Sequence, residues 1–186
     1  MRITGGSLKG RVVEAPRGVL SRPPLSVIRE SVFNSIGDGI RGKRVLDLFA
    51  GSGSLGIEAI SRGAGHVHFV DSARRCAEMI ERNARNLGIE QMCAVSRQDA
   101  ADFVRGWREG AFDYIFVDPP FLSGKAGETL AAFDGGAAFA EGTLVVARIH
   151  WRERLELPGG VRVARTRKFG DSLVLYIRRT LQGTGE

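Results

Sequence analysis

From Arg44 to Ile149 the chain alternates between short apolar runs and amphipathic stretches whose apolar residues recur every three to four positions. The runs predict strands buried on both faces, over Arg44 to Phe49, His66 to Val70, Met92 to Val95, Phe112 to Val117 and Thr143 to Ile149. Helices are predicted between them over Ser54 to Arg62, Ser72 to Leu87 and Ala100 to Arg105. The second of these is the best marked. Cys76, Met79, Ile80 and Leu87 share a face, Glu78/Arg82 and Glu81/Arg85 are i,i+4 pairs, Ser72 is the expected cap and Gly88 the stop. Strands and helices alternating at this spacing imply a mainly parallel sheet covered on both faces.

The two ends break this rhythm. Ile3 to Val13 reads as a strand pair interrupted at Gly5-Gly6 and Gly10, followed by a loop carrying Pro16, Gly18 and Pro23-Pro24. Ser26 is placed to cap a helix through Ile36, with Val27, Ile28, Val32, Phe33 and Ile36 largely on one face and Gly37 and Gly39 as stops. At the other end Val161 to Lys168 and Ser172 to Arg179 meet at Gly170-Asp171 with no helix between them, which predicts a hairpin added to the sheet edge. The expected division is one domain over 1–186, with a hairpin-and-loop extension at 1–24 and a catalytic core at 25–186.

Composition narrows the class. A chain of 186 residues that is 43% hydrophobic and 26% charged supports one cored domain and excludes disorder and collagen-like repeats. Its apolar runs are far too short for a membrane span, and Met1 to Gly6 holds no signal-like apolar region, so a cytoplasmic protein is expected. Cys76 and Cys93 are too few and too far apart for a disulfide framework. The net charge of +6 is unevenly spread: 1–44 and 148–179 each hold nine Lys/Arg against three acids, whereas 45–147 holds nine against fourteen. Two basic ends around an acidic middle suggest that the ends face a polyanion. Arg2, Lys9, Arg11, Arg17, Arg22 and Arg29 lie in a segment that the parallel sheet does not need, and Arg165, Arg167 and Lys168 lie in the terminal hairpin. These are the candidate phosphate contacts.

Chemistry concentrates at strand ends. Asp47-Leu48-Phe49-Ala50-Gly51-Ser52-Gly53-Ser54-Leu55-Gly56 places a glycine-rich turn after the first strand, where open parallel sheets bind ligands. Gly51, Gly53 and Gly56 satisfy a dinucleotide fingerprint, with Asp71 twenty residues after Gly51, so a nicotinamide enzyme is a rival reading. A purely steric use of glycine in a tight turn is another. No Lys-Ser/Thr follows the glycines, which disfavours a P-loop. Asp47, Asp71 and Asp99 each follow or end a strand. A carboxylate before the cradle repels a pyrophosphate and attracts a sulfonium and an ammonium group, which favours S-adenosylmethionine over NAD. Asp47, Phe49, Gly51, Gly53, Asp71 and Asp99 are the candidate cofactor residues, Asp71 for the ribose hydroxyls and Asp99 for the adenine amine. The alternative reading of Asp99 is a helix cap.

Asp118-Pro119-Pro120-Phe121 stands at the end of the fourth predicted strand. Two prolines fix their own φ angles and donate no hydrogen bonds, so the Pro119 carbonyl is held rigidly outward. If Asp118 and that carbonyl each accept one N–H of an exocyclic base amine, the nitrogen lone pair is biased toward a sulfonium methyl, and Phe121 can stack on the base. These four are the candidate catalytic residues, against the plain alternative of a turn that ends a strand. Guanine, adenine and cytosine amines would all be served.

Here the sequence resembles the RsmD family of bacterial rRNA methyltransferases. The resemblance rests on the Asp118 to Phe121 motif, on Asp47 to Ala59, on Met1-Arg2-Ile3 with Leu8-Lys9-Gly10-Arg11, on Arg22-Pro23 and Arg29-Glu30 before Phe33-Asn34, and on Lys168-Phe169-Gly170-Asp171-Ser172. It covers nearly the whole chain. It implies a class I S-adenosylmethionine-dependent methyltransferase fold, with a seven-stranded sheet and a small N-terminal hairpin extension, acting on a guanine N2 of 16S ribosomal RNA, with a small-subunit particle as partner and a monomer as the expected state. The alternatives are an adenine-N6 or cytosine-N4 methyltransferase on DNA, and a non-catalytic RNA-binding assembly factor. Pro24-Leu25-Ser26-Val27 departs from the family pattern, so no contacts are carried over there. Arg148 stands where the family tends to carry Glu and is assigned no role, while Phe169 and Ser172 replace Tyr and Thr.

Some residues invite stronger readings than they support. His66 and His68 share a strand face but lack a third ligand, so no metal is expected. Neither Cys76 nor Cys93 resembles an activated thiolate, which disfavours a cytosine-C5 mechanism. Trp107 and Trp151 are given no base-stacking role.

Overall fold

The computed structural model describes residues 1–15 and 25–180. The expected loop with Pro16, Gly18 and Pro23-Pro24, together with Arg17 and Arg22, lies outside the described residues. In chain order the elements are α1 (Leu25–Ile36), β1 (Arg44–Leu48), α2 (Ser54–Ser61), β2 (His66–Asp71), α3 (Arg74–Leu87), β3 (Cys93–Arg97), α4 (Ala100–Gly106), β4 (Tyr114–Val117), α5 (Lys125–Ala131), β5 (Leu144–His150), β6 (Val161–Phe169) and β7 (Ser172–Arg179). Short 3-10 turns follow α1 and α3.

The strands form one seven-stranded sheet in the order β3-β2-β1-β4-β5-β7-β6. The first five are parallel, and β7 pairs antiparallel with both β5 and β6. This is the class I methyltransferase architecture, and the C-terminal hairpin lies where the helix-free run between Val161 and Arg179 predicts it. The order reverses between β1 and β4, so their carboxyl ends diverge into a crevice. Period-two alternation explains how the sheet is covered. Val45, Phe69 and Phe116 face one core with Ile28, Val32 and Phe33 of α1 and Ile57 of α2. Leu46, Leu48, Val70, Ile115 and Val117 face the other, with Phe103 and Val104 of α4 and Leu130 of α5. Val27, expected on the buried face of α1, is exposed.

The amino end differs from expectation. The strand pair over Ile3 to Val13 is present in short form: a bridge between Arg2 and Val12, with backbone hydrogen bonds joining Met1 to Val13 in both directions and Ile3 to Gly10 and Arg11. Between these rungs the N–H groups of Thr4, Gly5, Ser7 and Leu8 turn away from the pair and are donated to α2. Glu58, wholly buried, accepts from the Thr4 N–H (2.9 Å), the Gly5 N–H (2.9 Å) and the Thr4 hydroxyl (2.7 Å). The Ser7 N–H donates to the Ser61 carbonyl, and Ile3 and Val13 enter the core. The segment that the parallel sheet was expected not to need is therefore packed into it. Two further differences are local. α3 starts at Arg74 with no side-chain cap, because Asp71 rather than Ser72 accepts the Ala73 N–H. The glycine-rich segment after β4 contains α5.

Candidate active site

At the crevice, β1 runs into the glycine turn. Phe49 adopts φ 61, uncommon for a residue with a side chain, and Gly53 adopts φ 78 at the head of α2. Gly56 has a plainer reason to be glycine: a Cβ there would run into the Phe69 ring, so only glycine lets α2 lie this close to β2.

Two carboxylates hold the turn. Asp47, 1% exposed, accepts the Gly56 N–H at 2.9 Å. Burial pushes its pKa well above the usual carboxylate range, with the Gly56 bond opposing and the Asp118 and Asp71 charges adding to the rise. Asp71 accepts the Gly51 N–H (2.8 Å) on one oxygen and the Ala73 N–H (2.9 Å) on the other, which ties the turn to the end of β2. Each of its sp² oxygens keeps a second lone-pair direction.

A cavity of about 450 Å³ opens over these strand ends, within the range of small-molecule sites. Phe49, Gly51, Asp71, Asp99, Asp118, Pro119 and Pro120 line it, together with Lys125 and Arg148. The structure thus brings together most of the residues expected at the cofactor. Asp47 and Gly53 are exceptions that correct a direct-contact reading. The Asp47 carboxylate is turned beneath the turn and spent on Gly56, and Gly53 serves as the hinge into α2. Asp99 caps α4, accepting the Ala101 and Asp102 N–H groups, while its other oxygen pairs with Lys125 Nζ at 2.9 Å. The Lys125 hydrogen bond is the main reason that its pKa lies below the ordinary value.

Asp118 leaves β4 beside β1, its N–H directed at the Leu48 carbonyl. One carboxylate oxygen accepts Arg148 Nε at 2.5 Å. Burial raises the Asp118 pKa, and the charge and hydrogen bond of Arg148 offset part of the rise. The Arg148 guanidinium also lies 4.6 Å from the centroid of the Phe121 ring. Arg148, given no role from sequence, is therefore the cation bonded to the candidate catalytic motif among the described residues. No local pattern in the sequence announces this pairing, which comes from strand register. In the parallel β4–β5 register Val117 sits opposite Ala147, so the next residues along, Asp118 and Arg148, become neighbours with opposite charge.

The expected phosphate contacts fare unevenly. Arg2, Lys9, Arg11 and Lys168 are exposed. Arg29 is not: at 2% exposure it donates to Glu58 (3.3 Å) and to the Arg2 carbonyl (2.8 Å), so its guanidinium belongs to the core and not to a surface that meets RNA. Arg167 donates to the Ser31 hydroxyl at 2.7 Å. His68 is packed against Phe103 and Trp107 and bonded to Ser96 Oγ, and burial pulls its pKa down to about 4. Among the described residues no three His, Cys, Asp or Glu side chains gather as a metal site, and no helix is long and apolar enough to cross a membrane. Burial raises both thiols, that of Cys93 to about 12.

The chain has recognisable relatives among known proteins. The profile of a family described as "Conserved hypothetical protein 95" matches residues 1–178. The chain is 38% identical over 185 residues to "Putative rRNA methyltransferase YlbH" of Bacillus subtilis, covering 96% of this chain and 100% of that one. It is 31% identical over 145 residues to "Ribosomal RNA small subunit methyltransferase D" of Escherichia coli K12, covering 78% and 72%. Among solved structures, "Putative methyltransferase yhhF" from Escherichia coli superposes with a TM-score of 0.85 at 28% identity, over 98% of this chain and 99% of that one.

Proposed function

The chain belongs to the RsmD family of ribosomal RNA methyltransferases, and from that membership we propose that it methylates the exocyclic N2 of a guanine in 16S ribosomal RNA, with S-adenosylmethionine as donor. The observation that carries the reading is the placement of Asp118-Pro119-Pro120 on the wall of the same cavity as Gly51, Asp71 and Asp99. The cavity suits the donor: its volume matches a nucleoside-sized ligand, and its carboxylates suit ribose hydroxyls and cationic groups. When bound, S-adenosylmethionine supplies an electrophilic methyl.

The chain's own residues do the rest. Asp71 and Asp99 hold the nucleoside end, and Gly51 allows close approach. Asp118 keeps one oxygen on Arg148, and its other oxygen accepts an N–H of the guanine amine while the Pro119 carbonyl accepts the second. Phe121, 36% exposed, keeps ring surface for the base beside the contact with Arg148. An aspartate does not remove a proton from a neutral guanine amine before attack. It orients the amine and takes the proton that the nitrogen sheds after gaining the methyl, a task helped by a raised pKa. The proposed partner is 16S ribosomal RNA in a small-subunit particle, met by a cytoplasmic monomer whose exposed Arg2, Lys9, Arg11 and Lys168 contact phosphates.

Mass-spectrometric mapping of modified nucleotides tests this directly, comparing ribosomal RNA from a deletion strain with that from the same strain's small subunits after treatment with purified protein and S-adenosylmethionine. The expected result is one N2-methylguanine missing from 16S RNA and restored in vitro. Restoration of an N6-methyladenine or an N4-methylcytosine, or methylation of DNA alone, would overturn the guanine assignment.

A further inference from the structure

Beyond the cavity, β5 ends in a run of rings and cations of which the chemistry above uses only Phe121 and Lys168. The His150 ring lies 5.6 Å from that of Phe121 in an edge contact, and Trp151 lies 6.0 Å from His150 with planes 28° apart. Arg152 and Lys168 sit 4.9 Å and 5.7 Å from the Trp151 ring centre. The Trp151 N–H donates to the Asp171 carbonyl at 2.9 Å, so the turn between β6 and β7 fixes its backbone. Trp151 is nevertheless 45% exposed. Glu153 has both carboxylate oxygens buried, so that Arg152, Arg154 and Lys168 outnumber the exposed acids Glu156 and Asp171 on the outer surface.

An exposed tryptophan bracketed by cations, and continuous through a histidine with the ring expected to hold the target base, has the make-up of a single-strand binding surface. Bases of any identity stack on aromatic faces, and neighbouring cations meet the phosphates between them. The geometry also divides the labour. The edge contact between Phe121 and His150 turns the path, as expected where a target base leaves its stack, whereas the near-parallel His150 and Trp151 planes suit neighbouring bases that stay stacked. We propose that His150 and Trp151 form a stacking track for the single-stranded RNA nucleotides that flank the target base, with Arg152 and Lys168 meeting their phosphates. This rests on the RNA methyltransferase reading and adds the substrate's required state: an unpaired segment and not a duplex.

The chain has two tryptophans, so Trp107→Phe leaves Trp151 as the sole indole reporter. A short guanine-containing single-stranded oligoribonucleotide, titrated into that variant, is expected to quench its emission, and a blunt RNA duplex of the same sequence to quench it far less. In the otherwise wild-type protein, Trp151→Ala should weaken oligonucleotide affinity about tenfold or more, with Trp151→Phe retaining most of it. Lys168→Ala should instead flatten the salt dependence. Calorimetric affinity for S-adenosylmethionine should be the same in all of them. If the protein methylates RNA yet Trp151→Ala leaves both oligonucleotide affinity and KM unchanged, the track is wrong and the function stands. If it transfers no methyl either to RNA or to small-subunit particles, the function reading itself fails. Quenching by the duplex as strong as by the single strand overturns the unpaired-segment requirement.

Discussion

Two carboxylate–arginine pairs lie close together, with Arg29 of one lining the same small cavity as Asp118 and Arg148 of the other, and they are built to different ends. Glu58 and Arg29 are 0% and 2% exposed, and Glu58 also receives Thr4, Gly5 and Arg62. Burial alone would raise its pKa, but the hydrogen bonds from Thr4 and Arg62 and the Arg29 charge outweigh burial and leave it below the ordinary value. Asp118 and Arg148 are 22% and 18% exposed, with Arg148 as the one cation bonded to the carboxylate among the described residues. There burial wins, and the pKa stays raised. A carboxylate surrounded by donors serves as a rivet, and one left short of donors at a cavity wall is available for a substrate's N–H groups.

The largest expected effect breaks the rivet. Glu58→Ala leaves Arg29 buried without its partner and releases Thr4 and Gly5, so it should cost about 3 to 5 kcal/mol of stability by the usual magnitude for a broken buried pair. Chemical denaturation measures it. Because the Glu58 pKa is depressed on folding, the stability it supplies is present above the ordinary value of 4.5 and is lost as pH falls through the folded value. The gap between wild type and Glu58→Gln should therefore close in acid. Deleting residues 1–15 removes Ile3 and Val13 from the core along with the donors to Glu58, and should lower the melting temperature and cofactor affinity together.

At the cavity wall, Asp118→Ala should lower methyl transfer by at least ~100-fold while leaving S-adenosylmethionine affinity nearly unchanged, because its interaction is aimed at the base in the transition state. Calorimetry and single-turnover transfer separate the two quantities, and a variant that retains turnover removes Asp118 from the mechanism. Asp71→Ala should do the reverse in kind and less in size. It frees the Gly51 N–H and removes a ribose acceptor, weakening donor binding by about 1 to 3 kcal/mol. Tight NAD binding with none of S-adenosylmethionine would reinstate the nicotinamide reading.

The contrast between the pairs also marks what is legible in sequence. Alternation and strand-end motifs make the sheet, the hairpin and the Asp71, Asp99 and Asp118 placements readable, since each depends on local period or on position next to a strand. Glu58 is not readable that way. On a helix it resembles any solvated acid, and only the fold of the amino segment back onto α2 buries it. Arg29 is misplaced for the same reason, because charge counting cannot tell a guanidinium in the core from one on the surface. Arg148 and Lys125 acquire partners only through the register of β5 on β4 and through α5, which a segment holding Gly124 and Gly127 conceals.

The subtlest prediction concerns pH at the Asp118 pair. The charged groups around that carboxylate are Arg148 from β5 and Asp47 from β1, Arg29 from α1 in the small cavity beside it, and Asp71, Arg75, Asp99 and Lys125 on the walls of the larger one. Asp118 must be ionised to accept the amine N–H groups, so transfer should rise with pH along an acid limb set by its raised pKa. Arg148→Met keeps much of the side-chain volume and removes the charge that offsets burial, so Asp118 should titrate higher still. The acid limb of kcat should then move to higher pH, with the rate lost at acidic pH recovered in alkali, while Arg148→Lys stays nearer wild type. Stability follows the opposite window from Glu58. A carboxylate whose pKa rises on folding favours the fold below its ordinary 3.8, and that advantage is lost as pH climbs through the raised value. Arg148→Met should thus lose stability over a window above 3.8, where Glu58→Gln shows its change below 4.5. An acid limb that stays in place in Arg148→Met would mean that Arg148 positions Phe121 and leaves the Asp118 charge untouched.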